Sequence, residues 1–152
     1  MVAPLEIVQQ KLADLERYTE KLKEFKYSRE EIHSDLTKQW SVSHGLQLAI
    51  QIVLDVGNHL LSDLGVRAVD YADVIDQLGN QGILPREFAV KIRGMAGFRN
   101  VLVHGYSNLD INKIYSLLTN NLDDFAAFAG HVWRYLAIAG RQPPADRTPP
   151  DR

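Results

Sequence analysis

The 152-residue chain contains no cysteine. That removes disulfides, thiol nucleophiles and the usual structural zinc sites, and it fits a reducing compartment. A surplus of positive charge is also lacking: 17 Lys and Arg stand against 19 Asp and Glu, for a formal net charge of −2 and a pI near 6.2. A bulk polycation is thereby excluded, and any contact with nucleic acid must come from a local patch. No apolar run approaches the roughly 18 residues needed to span a bilayer. The start, Met1-Val2-Ala3-Pro4-Leu5-Glu6, has neither the basic n-region nor the apolar core of a secretion signal. These absences predict a soluble, cytoplasmic protein with no membrane partner.

What is present is the ordinary balance of a globular domain, 45% hydrophobic and 24% charged residues, at a length that suits one core. Proline is sparse until the end, where Pro143, Pro144, Pro149 and Pro150 hold four of the six. Residues 1–139 are therefore expected to form a single domain, and residues 140–152 a disordered Pro-rich tail.

Apolar positions recur at helical spacing almost throughout, without strand-like alternation or internal repeat. Leu5, Val8, Leu12, Leu15, Leu22 and Phe25 mark the buried stripe of a first helix. Ser28-Arg29-Glu30-Glu31 reads as a capping box, with Tyr27 and Ile32 at hydrophobic-staple positions, and it opens a second helix that runs to about Leu61. Inside that helix the 16 residues between Lys38 and Asp55 carry no charge. A helix without charge on any side cannot keep a face in water, so it packs on its own core and on a second subunit, or is wrapped by its own chain. Gly45 and Gly57 would permit close approach. A loop around Gly65 leads to a short helix from Asp70 to Leu78, stopped by Gly79. Leu84-Pro85 opens a fourth helix with Phe88, Ile92, Met95 and Leu102 inward. A last one starts near Asn108 or Asp110 and runs to Leu136. The sum is an all-α, antiparallel helical bundle of four long helices and one short helix.

One segment gathers groups that can do chemistry: Phe98-Arg99-Asn100-Val101-Leu102-Val103-His104-Gly105-Tyr106. From Leu84 to Tyr106 the cations Arg86, Lys91, Arg93 and Arg99 face only Glu87, whereas Asp55 to Leu78 holds five Asp against Arg67. Lys91 and Arg93 are thus candidate contacts for RNA phosphates beside Arg99. At about 100° per residue, Asn100 and His104 share a helical face, while Arg99 lies about 140° from His104. Unwinding at His104-Gly105 would let His104 swing towards Arg99; in a dimer, two copies would line one cleft. RNA carries its own nucleophile in the 2′-hydroxyl, so an imidazole to move protons and a guanidinium to stabilise phosphoryl charge suffice without a metal. Taken alone, the Arg/His spacing equally fits a capping arginine and a histidine ending a helix.

The stretch from Arg99 to Tyr106 resembles the R-x4-H-x-Y signature of HepT toxins, a branch of the HEPN superfamily. The similarity extends over roughly residues 5 to 136: Gln51 to Leu60 looks like the family's central helix, and Tyr71 to Leu78, Gly82-Ile83-Leu84-Pro85 and Asp110 to Leu118 follow in order. The resemblance implies a homodimeric bundle that cleaves RNA without a metal or cofactor of its own. It implies Arg99 and His104 as catalytic, Asn100 as supporting, and Tyr106 as a site of AMPylation. It also implies a partner, an MntA-type minimal nucleotidyltransferase antitoxin that uses ATP and Mg²⁺ to attach AMP to that tyrosine. AMP on Tyr106 would set phosphate and purine where RNA binds.

Asp55 and His59, four residues apart, are expected either to line the cleft as supporting groups or to form a plain intrahelical pair. His33, His44 and His131 read as structural, and no His and carboxylate set has convincing metal spacing. Trp40, Trp133 and Phe125 read as core. Besides an endoribonuclease, two other classes fit a domain of this kind: a non-catalytic module that binds a nucleotide or presents a nucleotidyltransferase's substrate, and a purely structural dimeric bundle.

Overall fold

The computed structural model describes residues 5–104 and 109–141, and every regular element among them is a helix. In chain order these are α1 (Leu5–Glu24), α2 (Arg29–Ser34), α3 (Leu36–Asp63), α4 (Tyr71–Asn80), α5 (Arg86–Ile92), α6 (Gly94–His104), α7 (Ile111–Asn120) and α8 (Leu122–Arg141). The all-α bundle is as expected; the count is higher, because three of the expected long helices each contain a joint.

Each joint has a local cause. At Asp35 the backbone turns extended and the carboxylate accepts the Lys38 N–H at 3.2 Å, ending α2 and capping α3. At Arg93 the carbonyl takes the Ala96 N–H, a three-residue step in place of the four-residue helical one, and separates α5 from α6. At Asn121 the side-chain amide donates to Asp124 while the Asp124 N–H returns to the Asn121 carbonyl at 3.1 Å, dividing α7 from α8. Other punctuation lies where the residue types place it. Ser28 accepts from the Glu31 N–H and Glu31 accepts from the Ser28 N–H, both at 3.1 Å, completing the capping box. Lys38 bonds the same Glu31 carboxylate, and that bond, with the one from the Ser28 backbone, holds the carboxyl below its ordinary range. Asp70 caps α4 by accepting from Asp73 at 2.8 Å. That helix passes through Gly79 and stops before Gly82, whose φ of +75° suits glycine alone among common residues. Helix α8 runs two residues past 139, to Arg141; the rest of the expected Pro-rich tail lies outside the described residues.

Helix α3 is the centre. It packs against α1, α2, α4, α6, α7 and α8, and buries Val42, Leu46, Ile50, Val53, Leu54, Val56, Leu60 and Leu61. Its glycines allow the close approach they suggested. A Cβ on Gly57 would stand 2.6 Å from Val74 Cγ1, and one on Gly45 would stand 2.8 Å from Leu22 Cδ2. Yet α3 is not enclosed: Leu36 is 57% and Trp40 64% exposed, and His44 is exposed as well. Trp133 is also open, at 42%, so of the three aromatics expected in the core only Phe125 lies there. Surface tryptophans are compatible with folding because apolar groups make up much of any protein surface. Among the described residues no helix is long and apolar enough to cross a membrane.

Two stability predictions follow from this packing. Gly57→Ala should cost about 1–3 kcal/mol, since Val74 is fully buried and has little room to yield. Gly130→Ala, with nothing within 4 Å of the added carbon, should gain up to about 1 kcal/mol of helix propensity. Thermal melts of the two variants should move in opposite directions from wild type. The second concerns His131, whose ring stacks tilted on Phe88 with 4.9 Å between centroids and whose Nδ1 lies 2.6 Å from Arg134 Nη2. Arginine only donates, so this Nδ1 accepts and the folded imidazole is neutral. Burial, and then the Arg134 charge, push its pKa below the usual value. The unfolded chain therefore takes the proton first, and the contribution of His131 is present above its unfolded pKa of about 6.5 and lost as the pH falls below it. Chemical denaturation between pH 7.5 and 5 should show a smaller acid-side loss for His131→Gln than for wild type.

Candidate active site

Helix α6 is anchored by Met95, Ala96, Phe98 and Leu102, which it buries against α3 and α4. Arg99, beside this stripe, is half-buried and directed across α3 and α4. Its Nε donates to Gln51 Oε1 at 2.9 Å, its Nη1 donates to Asn100 Oδ1 at 3.2 Å, and its guanidinium carbon lies 5.0 Å from the centre of the Tyr71 ring. Gln51 in turn donates to Asp55 Oδ1 at 2.8 Å, and Lys11 of α1 sits 3.6 Å from Asp55 Oδ2. A continuous polar chain thus joins α6 to α1 across α3.

Beside it runs an open groove made of two adjoining hollows, to which Asn58 and Ala68 both contribute. One hollow presents Tyr71, Gly97 and Asn100; the other presents Lys11, Asp55, His59 and Arg67. Asp55 and His59 are therefore both cleft-lining, and the partners of Asp55 are Gln51 and Lys11 rather than His59.

His104 is the last residue of α6 and is exposed. Because the helix stays intact through it, His104 keeps its helical position, about 140° around the axis and roughly 7.5 Å along it from Arg99. One chain does not bring the two side chains together. Tyr106 lies outside the described residues. The neighbouring cations are engaged elsewhere: Lys91 meets the buried Asp124 of α8 at 3.0 Å, and Arg93 Nε meets both Asp76 oxygens at 3.0 and 3.1 Å. Both are held by carboxylates that cancel much of the field they would offer RNA, which weakens the positive patch read from the sequence. His33 and His44 are exposed on α2 and α3. Among the described residues no group of three or more His, Cys, Asp or Glu is placed to hold a metal ion.

Sequence reasoning passed over Gln51, Tyr71 and Lys11 as site residues. For Gln51 a signal exists: it is a polar side chain in an apolar stretch of α3, four residues before Asp55, where two side chains on one helix face meet. Tyr71 and Lys11 reach the site only through tertiary packing.

Comparison with known proteins places this geometry. A tRNA nuclease HepT of Aphanizomenon flos-aquae is 29% identical over 132 residues, covering 86% of this chain and 90% of the relative. An mRNA nuclease HepT of Shewanella oneidensis is 24% identical over 125 residues, covering 81% and 93%. Among solved structures, a toxin–antitoxin complex with AMP-PNP superposes with a TM-score of 0.78 at 21% identity, covering 85% of this chain and 98% of that one. The tri-AMPylated HEPN toxin of Shewanella oneidensis, in complex with its MNT antitoxin, superposes with a TM-score of 0.75 at 23% identity, covering 84% and 97%. These last two likenesses give the fold. The family model described as "Ribonuclease HepT-like" matches residues 6–132, and the chain therefore belongs to the HepT-like ribonuclease family.

Proposed function

We propose that this chain is a metal-independent endoribonuclease toxin, with Arg99 and His104 acting on the RNA phosphodiester and Asn100 supporting Arg99. The observation that carries the reading is Arg99 itself, held by neutral partners of which Tyr71 and Asn100 line an open groove, with an exposed histidine ending the same helix. A guanidinium has five N–H donors, and the described residues engage two of them, which leaves three for phosphoryl oxygens. In the proposed reaction His104 takes the proton of the 2′-hydroxyl or returns one to the leaving 5′-oxygen, while Arg99 stabilises the charge building on phosphorus-bound oxygen. The 2′-oxygen–phosphorus bond forms, the 5′-oxygen–phosphorus bond breaks, and the products are a 2′,3′-cyclic phosphate and a 5′-hydroxyl.

The angle between Arg99 and His104 favours a site assembled from two copies. The exposed Leu36 and Trp40 near the start of α3 provide apolar surface for such a homodimer. Regulation follows the family relationship: an MntA-type minimal nucleotidyltransferase, using ATP and Mg²⁺, would transfer AMP to Tyr106, two residues beyond His104. The tri-AMPylated toxin–antitoxin neighbour supports regulation by AMPylation. We place the protein in the cytoplasm, where RNA and such a partner reside.

Purified protein should cleave RNA in the presence of EDTA and leave a strand with 2′-deoxyribose at every position intact. His104→Ala should keep the wild-type melting temperature, since the side chain is exposed, and lose activity by about 10²-fold or more. A variant with undiminished cleavage would remove His104 from the mechanism. After co-expression with an MntA-type nucleotidyltransferase, intact-mass and peptide spectra should find adenylyl additions on Tyr106, abolished by Tyr106→Phe. Additions confined to other residues would refute the assigned switch.

A further inference from the structure

We propose that Gln51 is the positioning residue for Arg99, oriented in one sense only by Asp55; the proposal rests on the reading of Arg99 as the phosphate-binding group. Gln51 sits between two groups of opposite and fixed character. Arg99 can only donate and ionised Asp55 can only accept, so the side chain between them must present an oxygen to one and an N–H to the other. A primary amide meets both demands without charge. Glutamate in its place would set two carboxylates against each other, and lysine or arginine would set two cations together.

Three restraints act on the guanidinium: Gln51 takes its Nε edge, Asn100 takes one N–H of Nη1, and the Tyr71 ring covers one face. Among the described residues, what remains is one N–H of Nη1 and both of Nη2. A phosphate is therefore met end-on by donors that are already aligned, rather than by a long side chain that must first give up its rotamer freedom. Lys11 continues the restraint to α1 by pairing with the second Asp55 oxygen at 3.6 Å. In this proposal Gln51 and Asp55 act through Arg99.

The test uses full-length wild type, Gln51→Met, Gln51→Glu and the double variant Gln51→Glu with Asp55→Asn. Circular dichroism and melting temperature check each fold. Gln51→Met keeps the length of the side chain and removes both hydrogen bonds, and it should lower kcat/KM for RNA about ten-fold or more, mostly in kcat. Arg99→Ala, which removes the group itself, should lose about 10²–10³-fold. Gln51→Glu alone should fall as well, whereas the double variant should recover much of that loss, because Asn at position 55 can donate to the new carboxylate. A merely structural role predicts additive damage instead. A second readout does not depend on activity: the Arg99 Nε–Hε NMR resonance, assigned by its absence from Arg99→Lys, should shift and exchange faster with water in Gln51→Met. If wild type cleaves no RNA the nuclease reading fails, and the resonance still decides whether Gln51 holds Arg99. An unmoved resonance, or a shifted one with unchanged kcat/KM in an active enzyme, would overturn the proposal.

Discussion

Sixteen consecutive residues without a formal charge, Gln39 to Leu54, oblige α3 to shed water from most of its circumference. Six helices gather on it, and Gly57 and Gly45 remove the side chains that would hold Val74 and Leu22 away. Burying apolar surface this way contributes about 25 cal/mol per Å², and it is non-directional, so it explains the assembly without explaining the site. The site arises where burial on α3 ends. Gln51 and Asp55 lie at that margin, half-buried, where a polar group without a partner is costly. Arg99 from one side and Lys11 from the other satisfy them. The demand that makes α3 a core helix is thus also what fixes the guanidinium.

Electrostatics separates Arg99 from its neighbours more sharply than position does. Lys91, Arg93 and Lys11 each meet a carboxylate, so each pair is close to neutral when viewed from a few ångströms away. Arg99 is gripped by two amide oxygens and an aromatic face, which restrain it and, among the described residues, leave its charge uncompensated at contact. A mildly acidic protein can in this way offer a polyanion one strong contact. On the proposed reading, the approach of RNA would be narrowed to the groove beside α4 and α6.

Much of the scaffold was legible in the residues. The capping box at Ser28, the Asp70 cap, the loop at Gly65 and the close-packing Gly57 all act locally and appear where their types place them. The joints at Asp35, Arg93 and Asn121 were hidden because each is so short that the apolar stripe continues across it nearly in phase, and hydrophobic periodicity does not register such a break. The neutralisation of Lys91 and Arg93 was hidden for a different reason. Their partners, Asp124 and Asp76, lie 33 and 17 residues away in sequence, and a charge count over one segment cannot see them. Trp40 and Trp133 mark the limit of the rule that apolar residues go inside, which holds in one direction only.

The geometry of α6 carries a last consequence. A helix intact through His104 fixes Arg99 and His104 on different sides of one cylinder, and Arg99 cannot swing without releasing Gln51, Asn100 and the Tyr71 ring together. For the proposed reaction, the histidine that serves a phosphate held by Arg99 is then most simply the one on a second copy of the chain. This relates two features of the molecule, the exposed Leu36 and Trp40 of α3 and a proposed catalytic pair held on different sides of α6. On the proposed reading each is incomplete in one chain, and pairing two chains would complete both. It would also couple activity to association, since an isolated chain could bind phosphate through its arginine and still lack a well-placed group to move the proton.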